Sequence, residues 1–99
     1  MSIITSLVVT LCTVSAEAPD VVYCDVRVIY NYHTPSMSTC KRKASELELI
    51  SKRNHLKEAP TDVVERVVGE CFNPEEMPSL LNQISATKEE GRVYSMSFY

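Results

Sequence analysis

VVYCDVRVIYNYH, running from Val21 to His33, is the stretch whose reading decides the fold. Its even positions, Val22, Cys24, Val26, Val28, Tyr30 and Tyr32, are apolar or aromatic; its odd positions bring in Asp25, Arg27, Asn31 and His33. Successive side chains on a strand point to opposite faces, and β-branched and aromatic residues suit a pleated, half-buried surface. The alternation therefore predicts a strand with one buried face.

Upstream, Ile3 to Val14 form a second apolar run. Folding the chain back about Ala18, with Ala16 to Asp20 as a loop, brings Cys12 opposite Cys24, Val14 opposite Val22, Val8 opposite Val28 and Ile4 opposite Tyr32. All of these fall on the face that the first stretch buries, and a register shifted by two would keep those faces. The alternative is a signal peptide comprising 1–16 or 1–18, with Val14-Ser15-Ala16 or Ala16-Glu17-Ala18 at the cut. Against it, no Lys or Arg precedes the run, and Thr5, Ser6, Thr10 and Thr13 interrupt it. The run is also too short to span a membrane.

Downstream, Thr34 to Thr39 reads as a polar loop and 41–58 as a helix with Ala44, Leu47 and Ile50 along one face. Ser45 with Glu48 is a candidate capping box, and Pro60 disfavours helix at Ala59. Over 62–72, Val63, Val64, Val67, Val68, Cys71 and Phe72 recur at helical spacing behind Thr61 as a cap and Asp62 in the first turn. Asn73-Pro74-Glu75-Glu76 carries start signals for a further helix over 78–88, with Met77, Leu80, Leu81 and Ile84 as its apolar stripe and Gly91 as terminator after Lys88. Arg92 to Tyr99 alternates Tyr94, Met96 and Phe98 with Val93, Ser95 and Ser97, a strand again. The expected fold is one α+β domain over 1–99. Its two layers are a three-stranded, mostly antiparallel sheet (2–14, 21–33, 92–99) and two or three helices (41–58, 62–72, 78–88) on one face.

Composition narrows the function. A chain of 99 residues, 44% hydrophobic and 23% charged, is long enough for a core without obligatory staples. Its net charge of -3 supplies no general attraction for nucleic acid or anionic membrane. The charge is nonetheless segregated: Lys41 to Lys57 carries +4 and Glu58 to Gly91 carries -6. The basic run Lys41-Arg42-Lys43 has no aromatic interleaving, and with only Gly69 and Gly91 there is no glycine-rich phosphate loop.

Cys24, His33, Cys40, His55 and Cys71 carry metal-binding atoms, but no close Cys-x-x-Cys pair is present, so neither a metal nor a cofactor is expected. Cys40 has the most reactive setting, after Ser38-Thr39 and before three cations, with His33 or His55 as the candidate base. Nothing in the sequence assembles a catalytic set around it.

The leading expectation is a small, non-enzymatic, intracellular protein-interaction module: an inhibitor, adaptor or accessory subunit of a size that suits a viral or phage protein. Its partner is another protein, or a second copy joined at a sheet edge. Contact is expected on an acidic helical surface bearing Glu65, Glu70, Glu75 and Glu76, or on the last strand through Tyr94, Phe98 and Tyr99. The rivals are a small secreted disulfide protein, left by signal removal, and a cysteine enzyme or zinc protein centred on Cys40.

Overall fold

The two N-terminal apolar runs form a long hairpin, β1 (Ile3–Ser15) and β2 (Ala18–Thr34), in a computed structural model that describes residues 2–86 and 91–99. The pairs Cys12–Cys24, Val14–Val22 and Val8–Val28 are those that alternation predicts. Ile4 instead faces His33, because a bulge between Thr5 and Leu7 shifts the register and puts Tyr32 opposite Thr5. The extra residue is accommodated at Asn31, which adopts φ 55°, a left-handed conformation that Asn tolerates better than most residues. The buried Thr5 hydroxyl donates to the Tyr32 carbonyl across the bulge at 2.9 Å. The connecting turn is tighter than expected, since Ser15 already pairs with Ala18.

Helix α1 (Met37–Glu58) begins four residues earlier than the sequence suggests. Ser36 caps it, accepting from the Thr39 N–H at 3.2 Å, so the expected polar loop shrinks to a corner at Pro35 and Ser36.

The largest departure is at 62–72. The expected helix is a strand, β3 (Val63–Phe72), antiparallel to β1 along that strand's other edge. Its apolar residues come in doublets, Val63-Val64, Val67-Val68 and Cys71-Phe72, and a period of four resembles a helical stripe. On a strand each doublet places one residue on each face, and every apolar residue of β3 except Val63 is partly buried. A shift opposite Cys12 and Thr13 leaves Glu65 without a direct partner, so Val64 and Val67 lie on the same side.

A 3-10 turn (Pro74–Glu76) leads into α2 (Met77–Ala86), and β4 (Arg92–Phe98) closes the sheet. Asn73 donates its N–H to Glu76 Oε1 at 3.2 Å, anchoring that turn. The end expected for this helix at 87–88, the residues up to Glu90, and the side chains of Leu81 and Ile84 lie outside the described residues.

The α+β sheet is therefore four-stranded and mixed, in the order β3-β1-β2-β4. β2 and β3 both run antiparallel to β1, and β4 runs parallel to β2, so β2, β3 and β4 share one direction. Strands of like direction need a crossover. α1 makes the first over one face; the 3-10 turn and α2 make the second over the other. The helices thus lie on opposite faces and not on one. Beneath α1, Leu7, Cys40 and Ala44 are buried, with Ile29, Leu47 and Cys71 around them. Beneath α2, Val8, Val26, Val28 and Met77 form the other core, flanked by Phe72, Leu80, Tyr94 and Met96. β1 is the inner strand that faces both cores, as the unbroken run Leu7 to Val9 allows.

Candidate functional site

The two edges of this sheet differ. On the β3 edge, α1 approaches so closely that a Cβ at residue 69 would collide with the Ala44 carbonyl, and only glycine fits. Gly69 donates its N–H to Glu48 Oε1 at 2.6 Å, so a helix side chain occupies this outward-facing backbone donor. The Glu65 irregularity and the charged pair Arg66 and Glu70 further interrupt this edge, the usual means of discouraging strand addition.

On the β4 edge no side chain among the described residues caps an outward backbone group of Tyr94, Met96 or Phe98, and the one charge of the strand, Arg92, stands at its start. Its ladder to β2 runs from the Val22 N–H donating to the Gly91 carbonyl through Tyr99 donating to Val28 and Tyr30 donating to Tyr99. A parallel ladder uses alternate residues, so the odd members of β4 face β2. The backbone donors and acceptors of Arg92, Tyr94, Met96 and Phe98 point outward. From Val93 to Tyr99 no residue is charged and none is proline or glycine.

Large apolar side chains gather at the same place. Phe98 is 54% exposed and Tyr99 68%, against 1% for Leu7 in the core. Phe98 stacks on Tyr30 of β2, with ring centroids 6.0 Å apart. Nearer the start of β4, exposed Val93 lies beside exposed Tyr23. α1 packs over β3 and β1 and barely reaches β2, so the α1-facing side of β2 and β4 is left open. The result is a cleft of about 560 Å³, floored by Val9 and Leu11 and walled by Tyr23, Arg27, Val93 and Ser95 on the sheet and His55 on the helix. Asp25 Oδ2 accepts from Arg27 Nε at 3.3 Å along its rim. His55 Nε2 lies 2.8 Å from Asp62 Oδ2, tying the end of α1 to the start of β3.

On the α2 side a smaller cleft, about 250 Å³, is lined by Cys12, Arg66, Val68, Leu80 and Tyr94. Tyr94, expected as a contact residue, packs against the α2-side core, whereas Phe98 and Tyr99 stand on the open edge. The four glutamates share no helical surface, because 63–72 is a strand. Glu65 and Glu70 stand on β3, Glu65 engaging Arg92, and Glu75 and Glu76 belong to the 3-10 turn. Tyr23, Tyr30 and Val93 carry no sequence signal that marks them as surface. Their exposure depends on where α1 stops covering the sheet, which the alternation of β2 does not reveal.

The cysteines pair as Cys12–Cys24, with Cα atoms 4.0 Å apart, and Cys40–Cys71, 6.0 Å apart. Cys40 is fully buried, with its Sγ 3.3 Å from Thr5 Oγ1, and in this state has no thiol to ionise. Neither His33 nor His55 is joined to it, and no group of three metal-binding side chains assembles among the described residues. No helix among those residues is long and apolar enough to cross a membrane. Comparison with protein-family models, curated proteins and solved structures gives no match.

Proposed function

We propose that the protein is a small interaction module that accepts an extended segment of another protein along β4, as a fifth strand of its sheet. The observation that carries this reading is the contrast between the edges: β3 is closed by Gly69, Glu48 and its charges, while among the described residues nothing opposes the outward backbone groups of Tyr94, Met96 and Phe98 on β4, which lie beside exposed Phe98 and Tyr99. Strand addition draws affinity from main-chain hydrogen bonds and specificity from pockets for alternate side chains. The cleft beside Tyr23, Val93 and Ser95 supplies such a pocket on the α1 side. An inhibitor, adaptor or accessory subunit would work in this way without chemistry of its own.

Met96→Pro tests the reading. The Met96 N–H faces away from β2, so proline there removes a donor for the incoming strand but no bond of the sheet. Peptides selected from a random library for binding the wild type should lose binding to the variant, and cooperative unfolding of the variant, at a midpoint lowered by the lost Met96 packing, checks that its sheet is intact. Selected peptides that bind both proteins equally would place the binding surface elsewhere and end this reading.

One observation favours a second reading, action in an oxidising compartment: all four cysteines lie in two disulfides, as is usual for exported domains. In that reading residues 3–15 remain in the working protein, because β1 carries Cys12 and joins β3 to β2. The mass of the native protein under alkylation, with and without reductant, tests it. Four thiols alkylated without reductant would exclude it.

A further inference from the structure

We infer that Cys40–Cys71 is a redox latch: a small thiol entering beside Lys41 opens it at Cys71 and so releases the cover over the β3 edge. This inference is independent of the β4 edge.

The two disulfides are not equally reachable. Cys12 and Cys24 are buried, and Cys40 is buried beneath α1; of the four, only Cys71 is partly exposed. It lines an open cleft of about 370 Å³ together with Lys41, Ser45, Gly69 and Glu70. Exchange requires a thiolate to reach one sulfur of the bond, so the exposed disulfide is the labile one. Lys41 sets a cation at that entrance, against the single carboxylate of Glu70.

The reduced state is also provided for. A thiol, unlike a disulfide sulfur, has a proton to donate. Cys40 Sγ lies 3.3 Å from Thr5 Oγ1, whose own proton goes to the Tyr32 carbonyl, and Cys71 Sγ lies 3.4 Å from Met37 Sδ. Each new S–H thus has an acceptor in place, and buried Cys40 does not become an unsatisfied donor. Cys24 Sγ instead has a donor beside it, Arg92 Nη1 at 3.9 Å, which suits a sulfur that carries no proton.

The step balances with two small thiols, RSH. The first, as RS⁻, bonds to Cys71 Sγ; the Cys40–Cys71 bond breaks, and its electron pair leaves on Cys40 Sγ, which takes up a proton. The second attacks the R sulfur of the mixed disulfide, RSSR departs, and Cys71 Sγ takes up a proton. Two RSH are oxidised to RSSR while one disulfide becomes two thiols.

The structural consequence follows from the seam. Cys40, Ala44 and Glu48 recur every fourth residue along one line of α1, and Gly69 and Cys71 share one face of β3. The disulfide, the Ala44 carbonyl against Gly69 and the Glu48 carboxylate on the Gly69 N–H are therefore successive links of one seam. Cutting the covalent link leaves only the non-covalent ones to hold α1 down. The hairpin keeps Cys12–Cys24, and the α2-side core is untouched.

Oxidised full-length protein, equilibrated in glutathione buffers of rising reduced share and quenched by alkylation, should label Cys40 and Cys71 before Cys12 and Cys24. The glutathione adduct trapped early should map to Cys71. In protein reduced to that stage the Gly69 amide should exchange about tenfold faster or more, with Val26 and Val28 unchanged. Labelling of Cys12 and Cys24 first, of all four together, or an adduct on Cys40 overturns the point of attack. Unchanged Gly69 exchange after selective reduction overturns the latch, and failure of Cys40 and Cys71 to pair in oxidised glutathione overturns both.

Discussion

Arg92 Nη2 lies 2.6 Å from Glu65 Oε1, although the two residues stand on opposite edge strands of the sheet. β1 and β2 separate them, a span of about 14 Å at ordinary strand spacing. The two side chains meet above the α2-facing side, where Arg92 Nη1 also comes within 3.9 Å of Cys24 Sγ. The pair thus straps the sheet crosswise over its central disulfide. A partly exposed ion pair of good geometry contributes on the order of 1 kcal/mol. Glu65→Gln should lower unfolding free energy by about that much, and by less at high salt. A urea double-mutant cycle with Arg92→Gln should show coupling, and additive effects would mean the strap contributes nothing.

Gly69 is the contact on which the packing of α1 depends. Gly69→Ala forces the Ala44 carbonyl and β3 apart, an overpacking cost of about 1–3 kcal/mol. Glu48→Ala leaves the fold but frees the Gly69 N–H, so that amide should exchange with solvent markedly faster while those of β1 do not. Unchanged exchange at Gly69 would mean that Glu48 does not guard that edge.

The two disulfides should contribute unequally. Cys12–Cys24 closes a separation of 12 residues and Cys40–Cys71 one of 31. Loop-closure entropy then gives about 3 and about 4 kcal/mol respectively. The variant Cys40→Ala/Cys71→Ala should therefore melt at a lower denaturant concentration than Cys12→Ala/Cys24→Ala. The reverse order would show that packing around the hairpin outweighs chain entropy.

Asn31 sets the register of the hairpin's outer half. Its positive φ suits glycine and opposes β-branched residues, so Asn31→Gly should be nearly neutral and Asn31→Val should cost about 1–2 kcal/mol. Chemical denaturation of both variants measures the difference. Equal stabilities would mean that the bulge relaxes to another register.

Much of the frame is legible in residue order, and the reasons are local. Alternation places β1, β2 and β4, and requiring Val8, Cys12 and Val14 to share a face with Val28, Cys24 and Val22 matches the register of the hairpin's inner half. Helix α1 follows from Ala44 and Leu47 on one side and Pro60 beyond its end. β3 is hidden because a strand partly covered on both faces need not alternate. Its valine doublets satisfy a period near four as well as a two-sided sheet position. Two signals point the other way: the β-branched run with Gly69 inside it, and the contiguous Leu7-Val8-Val9 of β1, which puts apolar residues on both faces as an inner strand does.

The sequence by itself determined a hairpin, a following helix, a terminal strand and an α+β class, because periodicity and turn chemistry act between near neighbours. Only the tertiary structure decided which edges are closed. That Glu48 covers Gly69, that Glu65 reaches Arg92, and that β4 is left open depend on where the α1 crossover comes to rest. The partners in those contacts are 21 and 27 residues apart in the chain, and no local pattern encodes such a meeting.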